Sequence, residues 1–198
     1  MAKAFTKEEK LKIKEKIMET ALDLFHDKGT KSLNISELTK RVGIAQGSFY
    51  NFWKDKEALI MDLMAYRLIQ KLDTIEKEIS HSLENPQKFL SDVIYNGSID
   101  LAKKIRNQSI YRDAFKIFLS HEFKEGNRME SLYSNFLDRL IEYWEENKVV
   151  KSVDKQGLSN AFIGSFLLCC HNQHFNKNTF DEVLYIYISG IVCRYIET

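Results

Sequence analysis

The stretch VGIAQGSFYNFWKDKE, residues 42–57, determines how the rest of the chain is interpreted. Two short amphipathic segments, Ser36 to Val42 and Gln46 to Phe52, flank Gly43. A short turn containing glycine between two helices is typical of a helix-turn-helix, because glycine accepts the left-handed backbone that ends the first helix. In such a unit the second helix enters the major groove of DNA by its N-terminal residues. The spacing therefore predicts a DNA-reading helix.

Three motifs in and around this stretch resemble the N-terminal signature of tetracycline-repressor-like (TetR family) regulators: Thr39–Ile44, Gly47–Tyr50 and Lys54–Leu59. The resemblance covers about the first sixty residues. Two departures bear on the base contacts: Ala45 replaces a common Ser or Thr, and Leu38-Thr39 replaces the usual Ile-Ala. The resemblance implies a ligand cavity and a dimer interface in the second part of the chain.

Polar side chains in and beside the second segment are the candidate DNA contacts. The expected base contacts are Gln46, Gly47, Ser48 and Asn51, of which Gln46 and Asn51 can form bidentate pairs with adenine. The resemblance implies phosphate contacts by the tyrosine and by the lysine that follows the helix. With their neighbours, the expected phosphate contacts are Ser36, Tyr50, Lys54 and Lys56. Such contacts fix register without carrying sequence information.

Composition agrees with a helical protein that has no membrane segment. Of 198 residues, 44% are hydrophobic, 29% are charged and one is proline. The N-terminus has no apolar signal segment, and no run is long enough to span a bilayer, so we expect a cytoplasmic protein. Residues 1–57 carry 12 Lys/Arg against 9 Asp/Glu, which agrees weakly with a DNA-facing N-terminus. Three cysteines, two of them adjacent, do not form a disulfide framework.

Apolar periodicity predicts an all-α fold. We expect a three-helix helix-turn-helix unit in residues 1–57, joined by a long helix to an effector-binding and dimerisation bundle in residues 58–198. Residues 148–153 are interpreted as a connector rather than a short strand. The predicted helices outside the reading motif cover residues 6–28, 56–83, 87–105, 109–122, 127–147, 155–175 and 180–196.

Apolar residues of the N-terminal unit are expected to form a three-helix core. Phe49, Phe52 and Trp53 belong to that core in our interpretation, rather than stacking on bases. The lysines of the first helix could approach phosphates, but a solvated face is the more ordinary interpretation.

Eighteen of the 24 aromatic residues follow residue 57. Facing helices of a bundle build ligand sites in this way, although a solid core is the simpler alternative for any one of them. Arg112, Asp113 or Arg128 could orient a polar group of an aromatic or hydrophobic effector. The candidate pocket residues are Tyr66, Tyr95, Tyr111, Phe115, Phe118, Phe136, Trp144 and Phe166.

The last two predicted helices are apolar on more than one face, which favours a four-helix interface across a two-fold axis. Cys169, Cys170, His171 and His174 could form a metal or thiol sensor, but buried interface cysteines are preferred, and neither a metal nor a cofactor is expected. The candidate dimer-interface residues are Leu158, Phe162, Phe166, Cys169, Cys170, Tyr187, Ile191 and Tyr195.

The sequence thus predicts a homodimeric, ligand-responsive regulator: a repressor that a small effector releases from a palindromic double-stranded DNA operator. Two alternatives stay open, namely a helical small-molecule-binding protein or enzyme with no DNA role, and a DNA-organising protein without an effector. No nucleophile elbow, Gly-rich phosphate loop or clustered carboxylate pair favours an enzyme.

Overall fold

The computed structural model describes residues 6–28, 33–108, 111–117, 120 and 128–198, with the backbone alone for residues 25–28 and 128–130. Short 3₁₀ segments lie at Gln46–Asn51, Ile79–Leu83 and Asn172–His174. The all-α class predicted from the sequence is confirmed. The helices are α1 (Lys7–Lys28), α2 (Ile35–Val42), α3 (Lys56–Glu76), α4 (Pro86–Asn107), α5 (111–117), α6 (Arg128–Glu146), α7 (Lys155–Cys170) and α8 (Phe180–Tyr195).

Side-chain caps define where four helices begin. In each case an Asn or Asp oxygen accepts a backbone N–H from the first turn and so satisfies a donor that has no partner within the helix. The capping residues of α2, α3, α4 and α7 are Asn34, Asp55, Asn85 and Asp154.

The N-terminal core joins α1, α2 and the reading segment, our name for Gln46–Asn51. Leu38 and Phe49 are fully buried in it. The same core continues into Leu59 and Ile60 of α3 and reaches Ala114 of α5. Packing of the N-terminal unit therefore extends past residue 57.

A second core fills the bundle formed by α3, α4, α6, α7 and α8. Phe136, Trp144, Leu158 and Leu184 are almost completely buried there. Helices α4, α7 and α8 pack closely on one another, and α6 lies against α7 and α3. None of the helices in the described part of the chain is long and apolar enough to cross a membrane.

Helix α3 is shorter than predicted, because it ends at Glu76 and a 3₁₀ turn covers Ile79–Leu83. Ser82 is fully buried in that turn, and its hydroxyl donates to the carbonyl of Ile79. The hydroxyl also accepts the indole N–H of Trp144 at 2.7 Å. This contact joins residues far apart in the chain, so the local periodicity carried no sign of it.

The connector predicted at residues 148–153 contains a short strand, so that prediction was wrong. Strand β1 (Ser152–Val153) pairs antiparallel with β2 (Ile196–Glu197). The Lys151 N–H also donates to the Glu197 carbonyl at 2.7 Å. The ladder ties the start of α7 to the end of α8.

Candidate DNA-binding surface and effector cavity

The turn between α2 and the reading segment depends on Gly43. Its backbone lies in the left-handed region, with φ 85° and ψ 31°. The N–H groups of Gly43 and Ile44 both donate to the Thr39 carbonyl, at 2.9 and 3.0 Å. Helix α2 therefore ends at a left-handed residue, a conformation that glycine adopts readily. The chain then forms a 3₁₀ segment over Gln46–Asn51, where an α-helix was expected.

The inner side of the reading segment is fixed by aromatic packing. Phe49 is fully buried, Trp53 is nearly so, and Phe52 is half-buried. The Trp53 indole N–H donates to a carboxylate oxygen of Asp62 at 3.0 Å, and the Lys14 ammonium lies 3.0 Å from the same oxygen. The segment is therefore held from α1 and α3 together, which gives its outer side chains a defined position.

The outer side carries the residues predicted to contact bases. Gln46, Gly47 and Asn51 are exposed, and Ser48 is half-buried. A Cβ on Gly47 would meet no atom within 4 Å. Packing within the chain therefore does not require glycine at this position.

The residues predicted to contact phosphates lie around the same segment. Ser36 is exposed in the first turn of α2, and Tyr50 is 55% exposed with its ring edge-on to Phe49. Lys54 is exposed and Lys56 is half-buried at the start of α3.

Three lysines of α1 have partners inside the protein. Lys12 pairs with Glu8, and Lys14 pairs with Asp62. The Lys16 ammonium donates to the Val42 carbonyl at 3.0 Å, near the C-terminus of α2. Lys14 and Lys16 thus brace the helix-turn-helix unit internally.

A cavity of about 560 Å³ opens between the N-terminal unit and the bundle. Its volume lies within the usual range of small-molecule sites. Three predicted pocket residues lie on its wall: Tyr111, Phe115 and Phe166. Phe115 and Phe166 contact each other, with ring centroids 5.3 Å apart. Other lining residues include Leu63, Met64, Leu68, Ile75, Ile94, Tyr133 and Phe162.

Four other predicted pocket residues lie elsewhere. Phe136 and Trp144 belong to the solid core of the bundle, and Tyr66 packs against the N-terminal core. Tyr95 lies edge-on to Tyr185 at 5.3 Å. These corrections have one cause, since aromatic composition does not reveal which face of a helix turns towards the cavity. Phe118 and the Arg128 side chain lie outside the described residues.

The cavity wall also carries a charged group that was not predicted from the sequence, formed by Arg67, Lys71, Asp100 and Lys104. The Lys104 ammonium lies 2.7 Å from an Asp100 carboxylate oxygen. The Lys71 ammonium lies 2.9 Å from the point where a Cβ on Gly97 would stand. Burial lowers the pKa of Lys71, and the carboxylate of Asp100 partly opposes this effect. The available sequence signal was a glycine inside α4, which permits this close approach.

Several predicted interface residues belong to the core of the single chain. Leu158, Phe162 and Cys169 are buried within it, so they cannot contact a second copy without repacking. The Cys169 thiol donates to the Ser98 carbonyl at 3.1 Å. Phe166 instead lies on the cavity wall.

The other predicted interface residues, Cys170, Tyr187, Ile191 and Tyr195, are half-buried. Beside them, α7 and α8 present what we call the apolar face, formed by Leu167, Val183, Ile186 and Gly190. Leu167 is 38%, Val183 45% and Ile186 60% exposed. A Cβ on Gly190 would meet nothing within 4 Å.

The cysteine and histidine cluster does not form the geometry that a sensor would need. Helix α7 ends at Cys170, so Cys170 and His174 do not share a helix face. Burial raises the pKa of the Cys170 thiol to about 12. In the part of the chain that the structure describes, no group of three His, Cys, Asp or Glu side chains could hold a metal ion.

A turn closed by glycine, an exposed polar reading segment and an all-helical companion bundle define a helix-turn-helix protein. Residues 17–63 match the family described as bacterial regulatory proteins, tetR family. The chain is 44% identical over 57 residues to an uncharacterised HTH-type transcriptional regulator, YuxN, of Bacillus subtilis, an alignment covering 28% of this chain and 20% of that protein. It spans between 20 and 32% of the length of the first three curated relatives it matches.

Solved structures extend the likeness of fold to nearly the whole chain. The TetR-family repressor QsdR of R. erythropolis has a TM-score of 0.66 at 12% identity, covering 91% of this chain and 94% of that one. RolR in complex with resorcinol has a TM-score of 0.64 at 13% identity, covering 96% and 90%. Residues 17–63 thus match the tetR family of bacterial regulatory proteins in sequence, and nearly the whole chain resembles a TetR-family repressor in fold.

Proposed function

We propose that this protein is a transcriptional repressor that binds a palindromic DNA operator as a homodimer in the cytoplasm. A small hydrophobic or aromatic effector releases it by occupying the cavity. Residues 1–57 supply DNA binding and residues 58–198 supply effector binding and dimerisation, without a catalytic step. Gln46, Gly47, Ser48 and Asn51 contact bases, while Ser36, Tyr50, Lys54 and Lys56 contact phosphates.

The observation that carries this proposal is the cavity wall, which is shared by both parts of the molecule. Leu22 of α1 and Ile60 of α3 lie on it, and both pack in the N-terminal core. Helix α5 has two sides: Tyr111 and Phe115 line the cavity, while Ala114, almost fully buried, also belongs to the N-terminal core. A ligand that fills the cavity therefore contacts residues that position the reading segment.

Release requires the effector to bind one conformer better than the other, and typical coupling free energies are roughly 1 to 3 kcal/mol. A shift of α5 or α3 changes the relation between the N-terminal core and the bundle. In a dimer that shift alters the spacing of two reading segments, which must match half-sites about one helical turn apart. RolR, the neighbour solved with resorcinol, agrees with an aromatic ligand in a fold of this kind.

Homodimerisation is proposed through the apolar face. Exposed aliphatic side chains next to an open glycine allow two helix pairs to pack closely. Of the residues predicted from the sequence, Cys170, Tyr187, Ile191 and Tyr195 stay in this proposal, because each retains exposed surface.

The testing experiment is a fluorescence-anisotropy titration on DNA from upstream of the protein's own gene, repeated over a salt series and with a panel of small hydrophobic compounds. We expect specific binding whose logarithm falls linearly with the logarithm of salt concentration, as phosphate contacts require. We also expect at least one compound to weaken it. Scrambled DNA of equal length is the control.

Binding of compounds without salt-dependent DNA binding would favour the small-molecule-binding alternative. DNA binding that no cavity ligand weakens would favour a DNA-organising protein. Sedimentation of wild type and of Ile186→Glu tests the dimer, since a buried charge at the apolar face should give monomers.

A further inference from the structure

The charges on the cavity wall are unbalanced. Arg67, Lys71 and Lys104 face a single acidic side chain, Asp100, among the lining residues described. Asp100 is already engaged by Lys104 at 2.7 Å. The wall therefore has a surplus of positive charge next to a large apolar surface.

Among the lining residues described, Arg67 and Lys71 are the two cations that the Lys104–Asp100 pair leaves over, and Lys71 is the one placed against α4. It makes no hydrogen bond or ion pair with the residues described, and its ammonium reaches the backbone of α4 at Gly97, 2.9 Å from a Cβ placed there. The Lys71 side chain is exposed on the open side of the cavity, and burial of part of it lowers its pKa while the nearby Asp100 carboxylate partly opposes this effect. An anion bound beside it would supply the missing counter-charge.

The rest of the wall selects the body of the ligand. Aliphatic side chains of α3 and α4, such as Leu72 and Ile94, continue into aromatic ones, such as Phe115 and Tyr133. Burial raises the pKa of the Tyr133 phenol to about 12, so that side chain stays neutral. At Gly97 one ammonium, that of Lys71, stands near one carboxylate, that of Asp100, and this local arrangement suits a single negative charge better than a doubly charged phosphate.

We infer that the effector is an amphipathic monocarboxylic acid, with its carboxylate paired to Lys71 over Gly97 and its aliphatic or aromatic body against the apolar wall. The inference rests on the proposed function and names the ligand class of the same cavity. Arg67 and the Lys104–Asp100 pair set the surrounding field, and Lys71 is the anchoring residue.

The test is calorimetric titration of the full chain with two matched pairs of probes: decanoate against decanol, and 4-phenylbutyrate against 4-phenylbutanol. At least one acid should bind wild type roughly tenfold or more tightly than its alcohol, because a charge-assisted hydrogen bond is lost in the alcohol. Lys71→Gln should abolish that preference, and Lys71→Arg should retain most of it. Lys103→Gln is the control, since Lys103 is an exposed neighbour outside the cavity.

Equal binding of acid and alcohol, a preference that survives Lys71→Gln, or failure of both acids to bind would each overturn the inference. Circular dichroism of each variant establishes that it is folded. DNA binding is measured separately on the upstream fragment. If a neutral compound releases DNA while the acids do not bind, the proposed function stands and the inference fails. If the acids show the preference but DNA is not bound, the repressor function fails and the ligand class stands.

Discussion

The two cores of this molecule are built differently. The N-terminal core is filled around Phe49 and Leu38, and its outer surface is the polar reading segment. The bundle core borders a cavity of about 560 Å³ that opens between the N-terminal unit and the bundle. The tetR family match covers residues 17–63, whereas the likeness of fold to QsdR covers 91% of the chain. The difference agrees with their proposed tasks, because the groove of DNA has a near-constant shape and an effector does not.

The largest expected difference between the cores comes from one substitution made in each. Phe49→Ala leaves a hole in a filled core and should lower the free energy of unfolding by about 3 to 5 kcal/mol. Phe166→Ala enlarges an existing cavity, so the loss should stay below about 2 kcal/mol. Urea denaturation followed by circular dichroism measures both. Equal losses would show that the cavity is filled in solution.

Substitutions of the proposed base contacts and of the proposed phosphate contacts should affect DNA binding differently. Gln46→Ala or Asn51→Ala should cost roughly 1 to 3 kcal/mol in specific binding and relax the preference at one base position. Tyr50→Phe and Lys54→Ala should weaken binding to operator and scrambled DNA alike. Anisotropy titrations on both DNAs distinguish the two classes. A uniform loss for Gln46→Ala and Asn51→Ala would remove them as sequence readers.

Alanine substitution of the two glycines of the motif should affect different properties: protein stability at Gly43 and operator affinity at Gly47. Gly43→Ala forces a side chain into the left-handed region and should destabilise the fold by about 1 to 2 kcal/mol. Gly47→Ala meets no atom of the protein, so stability should change by less than about 0.5 kcal/mol while operator affinity falls. Thermal unfolding and DNA titration are compared for each variant. Operator affinity unchanged in Gly47→Ala would place that residue away from DNA.

The smallest expected effect concerns the thiols of the bundle. Burial raises the pKa of both Cys169 and Cys170 to about 12, so they carry almost no thiolate near pH 8, whereas Cys193 is exposed. Iodoacetamide should modify Cys193 first, as mass spectrometry of peptides would show. Fast labelling of Cys170 with loss of DNA binding would reinstate a thiol sensor.

The helix-turn-helix unit could be predicted because its signals are local. Gly43 and the polar residues that follow it lie within ten positions of each other, and Phe49 is spaced to face inward. The structure changes the detail, giving a 3₁₀ segment in place of an α-helix.

The bundle was predictable as helices but not as a site. Trp144 and Ser82 meet across 62 positions, in the 3₁₀ turn that follows the early end of α3. The composition of the cavity wall depends on which side of α3 and α4 turns inward. The pocket was predicted from the distribution of aromatic residues, which does not indicate that Lys71 or Asp100 lies on the wall. Burial inside the chain likewise removed Leu158 and Cys169 from the expected interface.

Leu22 has a consequence for protein engineering. It is part of α1, yet it lies on the wall of the cavity proposed to bind the effector. A chimera cut at residue 57, with the DNA-binding unit taken from another regulator, would bring a foreign side chain into that wall. Its ligand response would then change together with its operator. Exchange of modules in this protein therefore calls for grafting the side chain at position 22 along with the bundle.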